Sequence, residues 1–470
     1  MYGILILDFV GIFLALLFSS TLLMDNLEHI RMSYLVSQGF VPYRDFFEHH
    51  HPLLWYIFSP FMKILPHNII SVLWFSRFIA LISRIIMLYF IYLIFKRFFG
   101  DDKLMPYFLL LLLSFYPIWY GFSYFKPDTF EQMFYFGGLY YFIKYIYINK
   151  RTDLVISAIF FSVSFLFLQT IIFSILPLLL PLIYTADKNH KVIKDALIAL
   201  ILPLLLFISI MFCMYKNGIL GRYYELNWIF NRHVFTLSDD IIDFSSAITY
   251  YIIQLFIGIG AFIWLIKKEK DNKCIKIIGL LFVFSIFEHT IFIATNAHYL
   301  IITLIYCSML VAPLLKYIFS GAQKQSRGMI LFYGLAYFIV YLLLNYTCVW
   351  LYNNADLFTV QKIVADNDDK EVVNVDNTYK FIWSKHISYY EMRNTLHKID
   401  NYLFHSNIQY DVNKEIMLHK PKYLEYDEKL ALKSHKYKIK NNRFKISPEV
   451  IRDYIQIYPN LWQRRDTLSQ

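Results

Sequence analysis

Asp25-Asn26-Leu27-Glu28-His29-Ile30-Arg31, then Gly39-Phe40-Val41-Pro42-Tyr43-Arg44-Asp45-Phe46-Phe47-Glu48, and finally His49-His50-His51-Pro52-Leu53 form a polar stretch set between apolar runs. The run before it, residues 4 to 24, and the run after it, residues 69 to 95, are each long enough to cross a bilayer as a helix. Acids and bases pinned between two such runs point to chemistry at a membrane surface, because ionisable side chains are costly near lipid and persist there for a purpose.

The rest of the composition agrees with that frame. The 470 residues are 58% hydrophobic and 20% aromatic, with a mean hydropathy of +0.45, which a soluble fold could accommodate only by exposing large apolar surfaces. Lys and Arg outnumber Asp and Glu by 45 to 35. Many of these cations sit in short segments between apolar runs, where they set topology and meet anionic headgroups, so nucleic acid is not an expected partner. The four cysteines, Cys213, Cys274, Cys307 and Cys348, fall in or beside apolar segments and imply no disulfide framework.

Apolar runs near 4–24, 69–95, 104–124, 129–148, 154–173, 174–185, 195–215, 247–266, 275–295, 298–317 and 329–351 predict a polytopic α-helical membrane protein of about eleven spans. The sixth run is short, and Pro177 and Pro181 predict a kink or tight re-entry there. Residues 4–24 read as an uncleaved first span, since no small-residue cleavage site follows Ser20. Lys96, Arg97 and Lys103, Lys150 and Arg151, Lys188 to Lys194, Lys267 to Lys273, and Lys316 to Arg327 follow the even-numbered spans. The positive-inside rule then puts the N-terminus in the cytoplasm and the loop 25–68, the loop 216–246 and the tail from about 352 on the outer side of a cell membrane.

Two domains are therefore expected: a membrane domain over 1–351 whose outer loop 25–68 carries the site, and a small α/β extracytoplasmic domain over 352–470. Within the loop, a surface helix should run from Asn26 to about Gln38, stopped by Gly39, and a second should begin near Pro52. In the tail, Glu371 to Val375 and Lys422 to Tyr426 read as strands, and Val450 to Ile457 as a helix.

Asp25, Glu28 and His29 gather over one helical turn, where a carboxylate can take a proton from a hydroxyl nucleophile. Asp-x-x-Glu at a helix start is equally the signature of a capping box. Arg31 and Arg44 offer the planar fork that suits a phosphate, or simply touch lipid headgroups. The triple histidine cannot close a metal site by itself, because successive residues alternate on a strand and fan by about 100° on a helix; Asp25 or Glu28 are the obvious additional ligands. The expected cofactor is none, with a divalent metal as the minor reading. Lys126-Pro127-Asp128 stands at the mouth between the third and fourth spans, Glu288-His289 in the outer half of the ninth, and His298-Tyr299 at the start of the tenth; each is a functional candidate or an ordinary interhelical or snorkelling pair. No phosphate-binding glycine loop is present, which argues against a soluble nucleotide donor.

These residues resemble the GT-C membrane glycosyltransferases, in particular the protein O-mannosyltransferase and aminoarabinose transferase branch. That branch carries an Asp-Glu pair in its first outer loop and then a His-Pro-Pro-Leu element. Here the acid is Asp25 and the later element reads His50-His51-Pro52-Leu53. Gly39 to Glu48 is similar to the corresponding stretch of many bacterial members, and Lys126-Pro127-Asp128 resembles their Arg-Pro-Asp. Asn26 replaces the second acid and His51 the first proline, which makes Glu28 a competitor of Asp25.

What the resemblance implies is a lipid-phosphate-sugar-dependent hexosyl- or pentosyltransferase. It would move a sugar from a polyprenyl-phosphate donor to a lipid, glycan or protein acceptor at the outer face, with inversion. Asp25 would be the base, with Glu28 beside it. Arg31, Arg44, Lys126 and His298 would receive the phosphate, and Tyr43, His50, His51, Trp55, Asp128, Glu288, His289 and Tyr299 would contact substrate. The bacterial cytoplasmic membrane is the expected location. Two rivals are a transporter or flippase of lipid-linked sugars and a non-catalytic partner in surface polysaccharide assembly. The first lacks the repeated halves usual for transporters, and the second has less need of an acid-rich loop.

Overall fold

The computed structural model describes residues 24–114, 124–188, 191–232, 240–292 and 301–321, and in the tail 372–374, 382–384, 389–390, 399, 402–403, 406, 408–426, 446–458 and 461–467. Two compact units emerge. One comprises 77–213 and 235–353 with residues 1–21; the other comprises 22–76, 214–234 and 354–470.

The helices in chain order are α1 (Met24–Ser37), α2 (Leu53–Met62), α3 (Ile69–Ile94), α4 (Met105–Ser114), α5 (Pro127–Ile148), α6 (Arg151–Phe167), α7 (Leu179–Lys188), α8 (Lys191–Lys216), α9 (Leu220–Tyr224), α10 (Asp240–Lys268), α11 (Lys273–Phe292) and α12 (Ile301–Gly321). Among the described residues, three helical stretches are long and apolar enough to cross a membrane: Ile69–Phe99, Lys191–Lys216 and Ile301–Ser320. Side chains on α8 make the physical point. Leu200, Leu204, Leu205, Ile208 and Phe212 are all exposed, an apolar surface that water would not tolerate and lipid would cover. The first and eleventh expected spans lie outside the described residues. Over the fifth and sixth expected runs, Gln169–Ile171 and Leu176–Leu178 are 3-10 turns ahead of α7.

The first unit is organised around a hairpin of α5 and α6. Asn149 ends α5 in the left-handed conformation, φ +57°, with its amide donating to the Tyr145 carbonyl at 2.7 Å. Close approach of the two helices follows from Gly137 and Gly138. A Cβ at Gly137 would lie 2.3 Å from the Phe160 ring and one at Gly138 2.6 Å from Phe161, so only glycine lets these rings reach the backbone. Ser157 and Ser164 hydroxyls then donate across the seam to the carbonyls of Gly138 and Glu131, both at 2.8 Å. Arg84 of α3 is buried, and its guanidinium donates to Gln132 Oε1 at 2.5 Å and Thr129 Oγ1 at 3.1 Å. At the other end of the hairpin, buried Asp195 of α8 accepts from Arg151 Nε at 2.6 Å and faces Tyr145 OH at 3.4 Å.

In the second unit, α1 stops where glycine permits it to. Gly39 has φ +91°, and the amides of Gln38 and Phe40 donate back to Tyr34 and Leu35. The tail contributes a four-stranded sheet of β1 (Val372–Asn374), β2 (Tyr423–Glu425), β3 (Tyr454–Tyr458) and β4 (Leu461–Arg464) in the order β1-β2-β4-β3. β1 runs parallel to β2, and β4 is antiparallel to both of its neighbours. Helix α13 (Val412–His419), capped by the Asp411 side chain at Asn413 N, brings Val412 and Ile416 onto Leu424 and Tyr454. The helix expected over Val450–Ile457 is corrected. Helix occupies only Pro448–Ile451, and Tyr454–Tyr458 is β3. The alternation of Tyr454-Ile455-Gln456-Ile457-Tyr458 suits a pleated edge, and pairing with β4 decides the matter.

Candidate functional site

Three segments build the polar centre of the second unit. Helix α1 supplies Glu28 and His29, each 2% exposed. Asp25 precedes Glu28 by three residues on the same helix, with its side chain outside the described residues. The connection 39–52 supplies Glu48 and the histidines, and α2 supplies Trp55, which is wholly buried.

The connection is a tight, self-bonded turn. Asp45 Oδ2 accepts from the Val41 amide at 2.7 Å. Tyr43 takes φ +69°, a conformation a tyrosine adopts only under constraint. Its amide donates to the Phe46 carbonyl at 3.1 Å and its hydroxyl to the His50 carbonyl at 2.6 Å. Burial pushes the Tyr43 phenol well above the ordinary range, only partly opposed by a hydrogen bond with Asn227. The ring is thus a neutral strut between the two ends of the turn.

Glu48 closes the turn from inside. Fully buried, its Oε1 accepts from the amides of His49 at 2.7 Å and His50 at 3.2 Å and meets His50 Nδ1 at 2.7 Å. Its Oε2 is enclosed and makes no hydrogen bond among the described residues. Trp55 Nε1 donates to His29 Nδ1 at 3.1 Å, and the His29 and His50 rings meet edge to face with centroids 5.2 Å apart. Ligand-capable atoms of Glu28, His29 and His50 lie within 4.8 Å of one another, as do those of Glu48, His49 and His50. His51 turns elsewhere: its Nε2 lies 2.8 Å from the Tyr223 hydroxyl.

The expected phosphate-binding residues are distributed differently from one another. Arg31 is buried, and its Nη1 donates to the carbonyls of Ile382 at 2.7 Å and Ser384 at 2.6 Å, which fastens α1 to the tail. Arg44 is half exposed and forks onto Asp45 at 2.8 and 2.9 Å. Lys126 and Asp128 begin α5 in the first unit; the Lys126 ammonium lies 4.9 Å from the centre of the Tyr124 ring. Glu288 and His289 belong to α11 with side chains outside the described residues, and His298 and Tyr299 fall wholly outside them.

The cluster therefore joins Glu28, His50, Trp55 and Tyr43 from the expected set and adds His29, Glu48 and His49. Glu48 had a signal in the sequence, an acid directly ahead of a histidine run. Tyr223, Asn227 and Tyr389 had none, since they reach the turn from distant segments; Tyr389 OH donates to the Tyr43 carbonyl at 2.8 Å, and its own carbonyl accepts from the Phe47 amide at 2.6 Å.

Apolar spanning helices joined to a buried carboxyl–imidazole cluster define a helical membrane protein with a polar site built on the segment between its early helices. Residues 49–214 match the family model of the dolichyl-phosphate-mannose-protein mannosyltransferases. That match indicates a membrane glycosyltransferase of the GT-C type. It takes in the histidine run, Trp55 and Lys126-Pro127-Asp128, and begins after Asp25, Glu28 and Glu48. No curated protein matches the chain.

Proposed function

We propose that this protein transfers a sugar from a polyprenyl-phosphate donor to an acceptor hydroxyl or amine on a lipid, glycan or protein, at the outer face of a bacterial cytoplasmic membrane. The observation that carries the reading is the family match over residues 49–214. Support for the side of the membrane comes from the Lys and Arg clusters after alternate apolar runs.

A carboxylate of α1, Asp25 in first place and Glu28 in second, takes the proton from the acceptor as its oxygen or nitrogen attacks the anomeric carbon. The bond from that carbon to the phosphate oxygen breaks on the opposite side, so the configuration inverts. The departing lipid phosphate is already a stable anion, and what it needs is positive charge to receive it. Arg44, the more accessible guanidinium of the connection, is the leading candidate within the second unit. Arg31 is committed to the tail carbonyls and acts by holding α1 in place. Tyr43 and Trp55 are buried beside the acidic turn.

Purified protein incubated with synthetic polyprenyl-phosphate sugars tests this directly. Transfer should occur in the wild type, fall by about 10²-fold or more in Asp25→Asn, the scale of a lost general base, and survive in Glu28→Gln. Equal activity of both variants would remove the base assignment, and absence of transfer from every such donor would remove the function.

A further inference from the structure

We propose that the Glu28–His29–His50 cluster binds one divalent transition metal ion, best matched to Zn²⁺, with Glu48 orienting His50. This concerns ion binding in the second unit and stands whether or not the transfer reaction does.

Convergence is the first reason. A donor atom from each of Glu28, His29 and His50 falls within 4.8 Å of the others, and His50 belongs as well to the set with Glu48 and His49. Three successive histidines could not have closed a site alone; helix α1 brings the carboxylate and imidazole that the run lacks, while His51 is taken up by Tyr223. Burial is the second. Glu28 and His29 are each 2% exposed, and Glu48 is fully buried with Oε2 unbonded among the described residues. Enclosed carboxyl oxygens beside imidazoles are an environment that a cation stabilises.

Proton placement on the rings is the third. With Nδ1–H of His50 given to Glu48 Oε1 at 2.7 Å, the lone pair of the neutral ring is on Nε2. That is the carboxylate–histidine arrangement by which proteins aim a metal-ligating imidazole. One carboxylate and two imidazoles form a donor set suited to zinc, with water completing four ligands. His29 supplies a signature. Its Nδ1 accepts from Trp55 Nε1–H, and an ion on either ring nitrogen ends that bond. On Nδ1 the ion takes the lone pair, and on Nε2 it leaves the ring proton at Nδ1.

The test uses the full chain, purified without a histidine tag, stripped with chelator and titrated with zinc chloride, with bound zinc counted by elemental mass spectrometry after gel filtration. About one zinc per chain is expected in the wild type and less than about a tenth of that in Glu28→Gln and in His50→Ala; Glu48→Gln should bind about 10- to 100-fold more weakly. Trp55 emission, taken as the difference between wild type and Trp55→Phe, should change on adding zinc, while Trp55→Phe still binds the ion. Glu28→Gln changes shape least, and it decides the matter if His50→Ala does not fold. A wild type that retains no zinc, Glu28→Gln with full zinc, or a Trp55 signal indifferent to zinc overturns the proposal.

Discussion

Glu48 Oε1 lies 2.7 Å from His50 Nδ1 while also accepting from the amides of His49 and His50, so one carboxyl oxygen fixes both the path of the turn and the pose of its central imidazole. Removing that oxygen strands three part-buried donors at once. Glu48→Ala should lower stability by about 2–4 kcal/mol, from unsatisfied donors at about 1–3 kcal/mol each with partial relaxation. Glu48→Gln, which keeps an acceptor, should lose less than half as much. Thermal unfolding in detergent followed by near-ultraviolet dichroism checks the order, and equal losses would contradict it.

Arg31 offers a second test. Its guanidinium holds the carbonyls of Ile382 and Ser384, and hydrogen bonds to charged donors contribute about 1.5–3 kcal/mol. Arg31→Ala should open the chain around 382–390 to protease several-fold faster, and Arg31→Lys, a point charge without the fork, should restore only part of the protection. Unchanged cleavage in Arg31→Ala would show that the tail is held by other contacts.

The hairpin of α5 and α6 sets two effects against each other at Gly137. Alanine gains about 1 kcal/mol of helix propensity, but its methyl would sit 2.3 Å from the Phe160 ring, and overpacking costs about 1–3 kcal/mol. Gly137→Ala should therefore be neutral to destabilising, and Gly137→Leu clearly destabilising. A gain in denaturation midpoint for Gly137→Leu would refute the close approach.

Alkaline pH should loosen the second unit. Burial raises the phenols of Tyr43, Tyr223, Tyr389, Tyr390 and Tyr402, Tyr390 to about 12. The unfolded chain loses these protons near pH 10. Above that pH the native state holds more protons than the unfolded state, so stability is complete below about pH 10 and falls as pH rises toward the native values. Tyrosinate absorbance and near-ultraviolet dichroism should show a late-titrating group of phenols whose ionisation coincides with loss of tertiary signal. Uniform titration near pH 10 without structural change would contradict this.

Local signals in the sequence carried far. Gly39 announced the end of α1, Pro52 the start of α2, and two strand-like runs announced β1 and β2. Val450–Ile457 reads as one helix in the sequence, whereas cross-strand pairing with Leu461–Arg464 governs its second half. At the site, the acids of α1 and the aromatic–histidine run were visible as residue types in one stretch. Which oxygen would meet which ring was not, because that depends on Tyr43 holding a left-handed turn and on side chains from 223, 227 and 389. Arg31 looked like a free phosphate fork for the same reason: its partners are backbone carbonyls 351 and 353 residues away.

Those separations order events during synthesis. Arg31, Tyr43 and Phe47 leave the ribosome early, yet the groups that fasten them belong to Ile382, Ser384 and Tyr389 of a 470-residue chain. Until that late segment has emerged and folded back, the acidic turn lacks its fasteners, so a polypeptide halted anywhere before it would carry Glu28, Glu48 and the histidines without the frame that holds their turn.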